Sequence, residues 1–201
     1  MRKQQREAIL ALLEETYMGT ETALNYSTPF ELLVAVIMSA QCTDERVNKI
    51  TARIFPKYNT PEKMGALSQE QLEEEIRDCG LFRSKAKNLL ATCKMLTEEY
   101  NSVIPDTVEE LMKLPGVGKK TANVVASIVY KVPAIAVDTH VFRVSHRLGL
   151  AKGDDPLAVE KELQKAIPKN KWSDAHHWLI WHGRKTVSYT HLRAHETRHD
   201  L

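Results

Sequence analysis

Helix-start signals recur along most of the chain, and they constrain its fold more than any other feature. Thr28-Pro29-Phe30-Glu31 sets a capping hydroxyl, a first-turn proline and an acid just before the apolar run 32–40. Thr60-Pro61 and Asp155-Pro156 repeat the opening of that pattern, and Ser68-x-x-Gln71 and Thr107-x-x-Glu110 have the spacing of capping boxes. Gly80, after a polar helical run, and Gly149, after residues 138–148, read as helix C-terminal caps. No sustained two-residue alternation bounded by hairpin turns interrupts this pattern, so a substantial sheet is not expected. The chain reads as all-α, with about ten short helices.

At 201 residues the chain suits one large domain or two small ones. With 43% hydrophobic and 27% charged residues, it has an ordinary globular, soluble composition. The longest apolar stretch, from Leu32 to Met38, is far shorter than a membrane span. The start, Met1-Arg-Lys-Gln-Gln-Arg, is not that of a secretory signal. Cys42, Cys79 and Cys93 are odd in number and widely spaced, which argues against a disulfide framework. A cytoplasmic location is expected. Net charge is only +2, but residues 113–152 hold seven Lys/Arg against the single acid Asp138, whereas residues 60–80 hold six acids against two bases. The basic stretch reads either as a solvated face or as a phosphate-facing surface.

That stretch contains the most informative string, Leu114-Pro115-Gly116-Val117-Gly118-Lys119-Lys120-Thr121-Ala122. A short helix is expected to end near Leu114 and a longer one to begin near Lys119. The glycines between them permit a tight turn and close approach of another backbone. N–H groups of the turn and of the following helix N-terminus suit a phosphate there. As a bare Gly-x-Gly the string could equally be a plain helix connection.

The full string resembles the helix-hairpin-helix motif of the DNA glycosylase superfamily, in the wording of the endonuclease III family. Three further segments resemble that family's signatures in order and spacing: 32–44, ending Ser39-Ala40-Gln41-Cys42-Thr43-Asp44; Ala136-Val137-Asp138-Thr139-His140-Val141-Phe142-Arg143-Val144; and His176-His177-Trp178-Leu179-Ile180-Trp181-His182-Gly183-Arg184. The resemblance runs from about residue 6 to residue 186 and implies an all-α, two-lobed fold with the active site in the cleft between lobes. One lobe is expected at 22–133, ending in the hairpin at about 107–130, and the other at 1–21 plus 134–186.

The activity implied is that of a bifunctional DNA glycosylase and AP lyase of base excision repair. It would excise oxidised pyrimidines from double-stranded DNA and cut abasic sites by β-elimination. Such chemistry needs an amine nucleophile at C1′, giving a Schiff base, with a carboxylate beside it. Lys119 and Lys120 both fall in the first turn after the hairpin, and periodicity does not separate them. The resemblance assigns the nucleophile to Lys120 and the catalytic carboxylate to Asp138, which by itself also reads as a helix N-cap. It further assigns Gln41 and Leu81 to the gap left by an extruded base, and Gly116, Val117, Gly118 and Lys119 to the DNA backbone. Arg143, Arg147 and Arg184 read as phosphate contacts or as braces between helices.

Two other functions remain open: a non-catalytic helix-hairpin-helix DNA-binding protein, which has no need of Lys120 and Asp138 together, and a monofunctional mismatch glycosylase, whose family members carry another residue in place of the lysine. The expected partner is double-stranded DNA with damaged pyrimidines or abasic sites, the protein acting as a monomer without a membrane.

The family usually continues after His-Gly-Arg with four cysteines holding a [4Fe-4S] cluster. Here Val187 stands at the first of these positions, and no cysteine follows Cys93. The chain therefore reads as truncated before the cluster loop, with residues 187–201 a non-native or disordered tail and no cofactor or metal ligand assigned. His140 and His146 have a poor metal spacing. His191, His195 and His199 would share a face if helical, but no acid or cysteine completes a site.

Overall fold

A computed structural model describes residues 3–186. The tail 187–201, with its three histidines, lies outside the described residues. Among the described residues there are eleven α-helices, one 3-10 turn at Lys169–Lys171 and no strand. No described helix is long and apolar enough to cross a membrane. The chain divides into two compact units, Thr22–Val132 and a discontinuous one made of Met1–Glu21 with Pro133–Leu201. Pro133, expected to end the first of these, groups with the other.

The continuous unit is built around α2 (Pro29–Ser39), in which every residue from Phe30 to Met38 is buried. A helix apolar on all sides must be central. It is flanked by α3 (Asp44–Ile54), α6 (Phe82–Glu99) and α8 (Lys119–Tyr130), while α4 (Pro61–Gly65) and α5 (Gln69–Glu75) pack on α6, and α7 (Val108–Leu111) packs on α8. Leu32, Leu33 and Met38 are wholly inaccessible, and truncating any of them to alanine should cost ~2–5 kcal/mol.

The cap chemistry explains where these helices start. Thr28 accepts the Glu31 N–H, but the Glu31 carboxylate reaches back to the Ser27 N–H, one residue before the usual box position. Ser68 and Gln71 form the full reciprocal box. At α7 only half of the expected box forms: Thr107 accepts the Glu110 N–H, while the Glu110 carboxylate is drawn to the Tyr100 hydroxyl and Lys113. Gly80 is not a helix cap, since α5 ends at Glu75, five residues earlier. Its hydrogen side chain instead allows close approach to the Gln41 carbonyl, which a Cβ would meet at 2.8 Å.

In the discontinuous unit, α11 (Trp172–Lys185) packs on both α1 (Lys3–Tyr17) and α9 (Thr139–Arg147), with α10 (Pro156–Ala166) on α9. Leu13, Tyr17, Ile135, Val141, Val144, Leu163, Trp178 and Leu179 form its core. Asp155 caps α10 through the Leu157 and Ala158 N–H groups. Gly149, at φ +68, follows the end of α9 as expected. Gly183 lets α11 approach α9 closely, because a Cβ would stand 3.1 Å from Val144 and 3.2 Å from His140.

Candidate nucleic-acid interface and active site

The turn between α7 and α8 is held from below by α6. Thr92 Oγ1 donates to the Pro115 carbonyl at 2.9 Å, and Asn88 lies directly under Gly116. Gly116 has φ +77, and a Cβ there would come within 2.8 Å of the Asn88 side chain, so conformation and space both demand glycine. Gly118 differs. Its φ of −85 suits any residue, and a Cβ would meet nothing within 4 Å. The fold does not require glycine there; its effect is to leave the start of α8 open to close approach, with no side-chain cap. Val117, expected among the DNA-contacting residues, has a buried side chain, and its N–H donates to the Leu114 carbonyl.

Lys119 and Lys120 are both exposed in the first turn of α8. Asp138 is the N-cap of α9, with Oδ1 accepting the Val141 N–H at 2.8 Å. It follows the buried Ala134-Ile135-Ala136, which anchors the backbone leading to it. Lys120 belongs to the continuous unit and Asp138 to the discontinuous one. Within the latter, half-buried Arg143 lies 3.4 Å from the Gly183 carbonyl and from His140 Nδ1, which makes it a brace between α9 and α11. Exposed Arg184 lies over the Trp181 ring, 5.6 Å from its centroid.

Gln41 and Leu81 share an uncommon backbone state. Their φ values are +52 and +58, in the left-handed region that costs non-glycine residues ~1–2 kcal/mol. Both are exposed, and Leu81 keeps 57% of its surface in solvent despite being apolar. Beneath them is Lys85, which the sequence reading passed over, only 4% exposed. The missed signal is its register: it falls on the stripe of α6 that continues through Ala86, Leu89, Cys93 and Leu96, where a lysine is out of place.

The cysteines do not suit a [4Fe-4S] cluster. Cys79 and Cys93 are in the core of the continuous unit and Cys42 packs at its edge. Burial pushes the Cys93 thiol up to about 12, far from the thiolate that iron needs. Among the described residues no group of three or more His, Cys, Asp or Glu side chains could hold a metal ion. The four cysteine positions of the expected cluster fall outside the described residues.

Comparison with known proteins agrees with this architecture. Residues 34–169 match the HhH-GPD superfamily base excision DNA repair protein family. An endonuclease III of Rickettsia prowazekii is 50% identical over 184 residues, 92% of this chain and 87% of that protein. A trapped endonuclease III–DNA covalent intermediate superposes with a TM-score of 0.89 at 51% identity, covering 94% of this chain and 90% of the other. A non-covalent endonuclease III–DNA complex gives 0.90 at 50% identity, covering 94% and 89%. The chain therefore belongs to the endonuclease III family, within the HhH-GPD superfamily of base excision DNA repair proteins.

Proposed function

We propose that this protein is a bifunctional DNA glycosylase and AP lyase that removes oxidised pyrimidines from double-stranded DNA and nicks the strand at the resulting abasic site. The observation that carries the reading is the hairpin. A glycine that the fold does not need, Gly118, opens an uncapped helix start, and two exposed lysines follow it directly. A phosphodiester fits against such a start by dipole and N–H donation. Lys120, as the free amine, then attacks C1′ of the extruded nucleoside, and the base departs with the glycosidic electron pair and takes up a proton. The C1′–O4′ bond breaks as the sugar ring opens to a hydroxyl, leaving a Schiff base between the amine and C1′. Loss of a proton from C2′ expels the 3′ phosphate by β-elimination. Asp138, held by its cap bond, is the carboxylate that assists base departure. Gln41 and Leu81 fill the gap left in the helix, while Arg184 and Lys119 add phosphate contacts.

Borohydride tests the covalent step. It should trap a protein–DNA adduct on an abasic duplex, and Lys120→Ala should abolish trapping while retaining most phosphate-driven binding. Efficient trapping by the alanine variant would move the nucleophile elsewhere, with Lys119 the next to replace. Iron and sulfide analysis after anaerobic reconstitution is expected to give a colourless protein without stoichiometric iron.

A further inference from the structure

We propose that Lys85 is a positioning residue for the DNA wedge: it clasps the two loops that carry Gln41 and Leu81 and holds that pair in the geometry that enters a duplex. This rests on the reading of Gln41 and Leu81 given above.

The clasp is visible in the hydrogen bonds. Lys85 Nζ donates to the Met38 carbonyl at 2.7 Å, to the Ala40 carbonyl at 2.6 Å and lies 3.1 Å from Cys79 Sγ. A lysine head group carries up to three donors, and three acceptors surround this one. Met38 and Ala40 belong to the end of α2, where carbonyls have no further turn to accept from. The last turn of α2 has no basic residue of its own, so the donor comes from α6. The Cys79 thiol donates to the same Met38 carbonyl at 3.4 Å. One head group therefore ties the segment before Gln41 to the segment before Leu81. The backbones then meet where Gly80 faces the Gln41 carbonyl, with no room for a Cβ.

Stability alone does not explain this arrangement. A buried lysine is costly to desolvate, and an apolar residue of similar length would escape that cost only by leaving the Met38 and Ala40 carbonyls without this donor. Two non-glycine residues in the left-handed region add strain that persists only where the surroundings over-determine it. What the clasp secures is presentation: Leu81 is held out in solvent instead of folding back on the core. The same face of α6 carries Asn88 and Thr92, three and seven residues on, which support Gly116 and Pro115 of the hairpin. Wedge and phosphate grip are thus mounted on one helix face at a fixed spacing.

The test uses a duplex with a tetrahydrofuran abasic analogue opposite 2-aminopurine, whose fluorescence rises when the wedge unstacks it. The full chain should give the rise. Lys85→Met, which keeps the stem and removes the donors, should still bind the duplex with a similar salt dependence. It should nevertheless lose most of the rise, and its excision rate at saturating DNA should fall by on the order of 100-fold. Gly80→Ala, which attacks the clasp from the other loop with Lys85 intact, should behave alike; it decides the matter if Lys85→Met does not fold. Cys93→Ala, a core truncation further along α6, should lower the melting temperature yet keep the rise. An unchanged rise in Lys85→Met and Gly80→Ala, with loss in Leu81→Ala, overturns the clasp alone. An unchanged rise in Leu81→Ala overturns the wedge reading and the clasp with it.

Discussion

Asp138 illustrates how one side chain can carry a structural and a chemical task. One carboxylate oxygen already caps α9, and an amide oxygen can do the same. Asp138→Asn should therefore leave the melting temperature within a degree or two, since a retained cap changes stability by only about a few tenths of a kcal/mol. Excision should fall by orders of magnitude, and a variant that excises normally would leave Asp138 as a cap only. His182 behaves differently. Burial pulls its pKa below the ordinary 6.5, and its ring lies 3.2 Å from the Tyr17 hydroxyl. Its folded pKa is depressed, so the unfolded chain binds the proton more readily. Stability should decline as pH falls from 6.5 towards the lowered value, and His182→Gln should flatten that slope in thermal melts. Lys85 was hidden from sequence reasoning for a residue-scale reason. A lysine in a helix is ordinarily solvated, and nothing local reveals that the carbonyls it bonds are 45 and 47 residues away.

Among the elements, what the sequence revealed depended on how local the cause was. Thr28, Thr60, Ser68, Asp138 and Asp155 cap the helices they were expected to cap, because a cap is settled within three or four residues. Glu110 left its box because Tyr100 and Lys113 compete for the carboxylate, a contest that spacing does not display. Gly80 was misread for a similar reason: its neighbour is the Gln41 carbonyl, far along the chain. The hairpin was legible as a motif, but its support by Asn88 and Thr92 of α6 was not. Gly116→Ala should reveal that support. Left-handed strain and the Asn88 clash together should destabilise the continuous unit by ~2–4 kcal/mol in urea titrations. Gly118→Ala should hardly change stability but should weaken DNA binding, a contrast expected only if Gly118 serves close approach.

Over the whole molecule, binding should be independent of sequence and should weaken steeply with salt, as phosphate contacts require. Tight, salt-insensitive binding to one sequence would count against the reading. The all-α class was legible throughout, since most helices announce their starts through a local capping side chain. The discontinuous unit needed more, because nothing in 3–17 states that its partners come after residue 133. That discontinuity has a consequence for timing. During synthesis α1 emerges first, yet Glu14, Tyr17 and Glu21 bond to Lys171, His182 and Trp181, between 157 and 165 residues later. The ribosome must deliver about 160 further residues before α1 can be buried, whereas Thr22–Val132 holds its own core and can close as soon as it is out. The hairpin is thus acquired while the apolar face of α1, with Leu13 and Tyr17, still waits for α11 to be made.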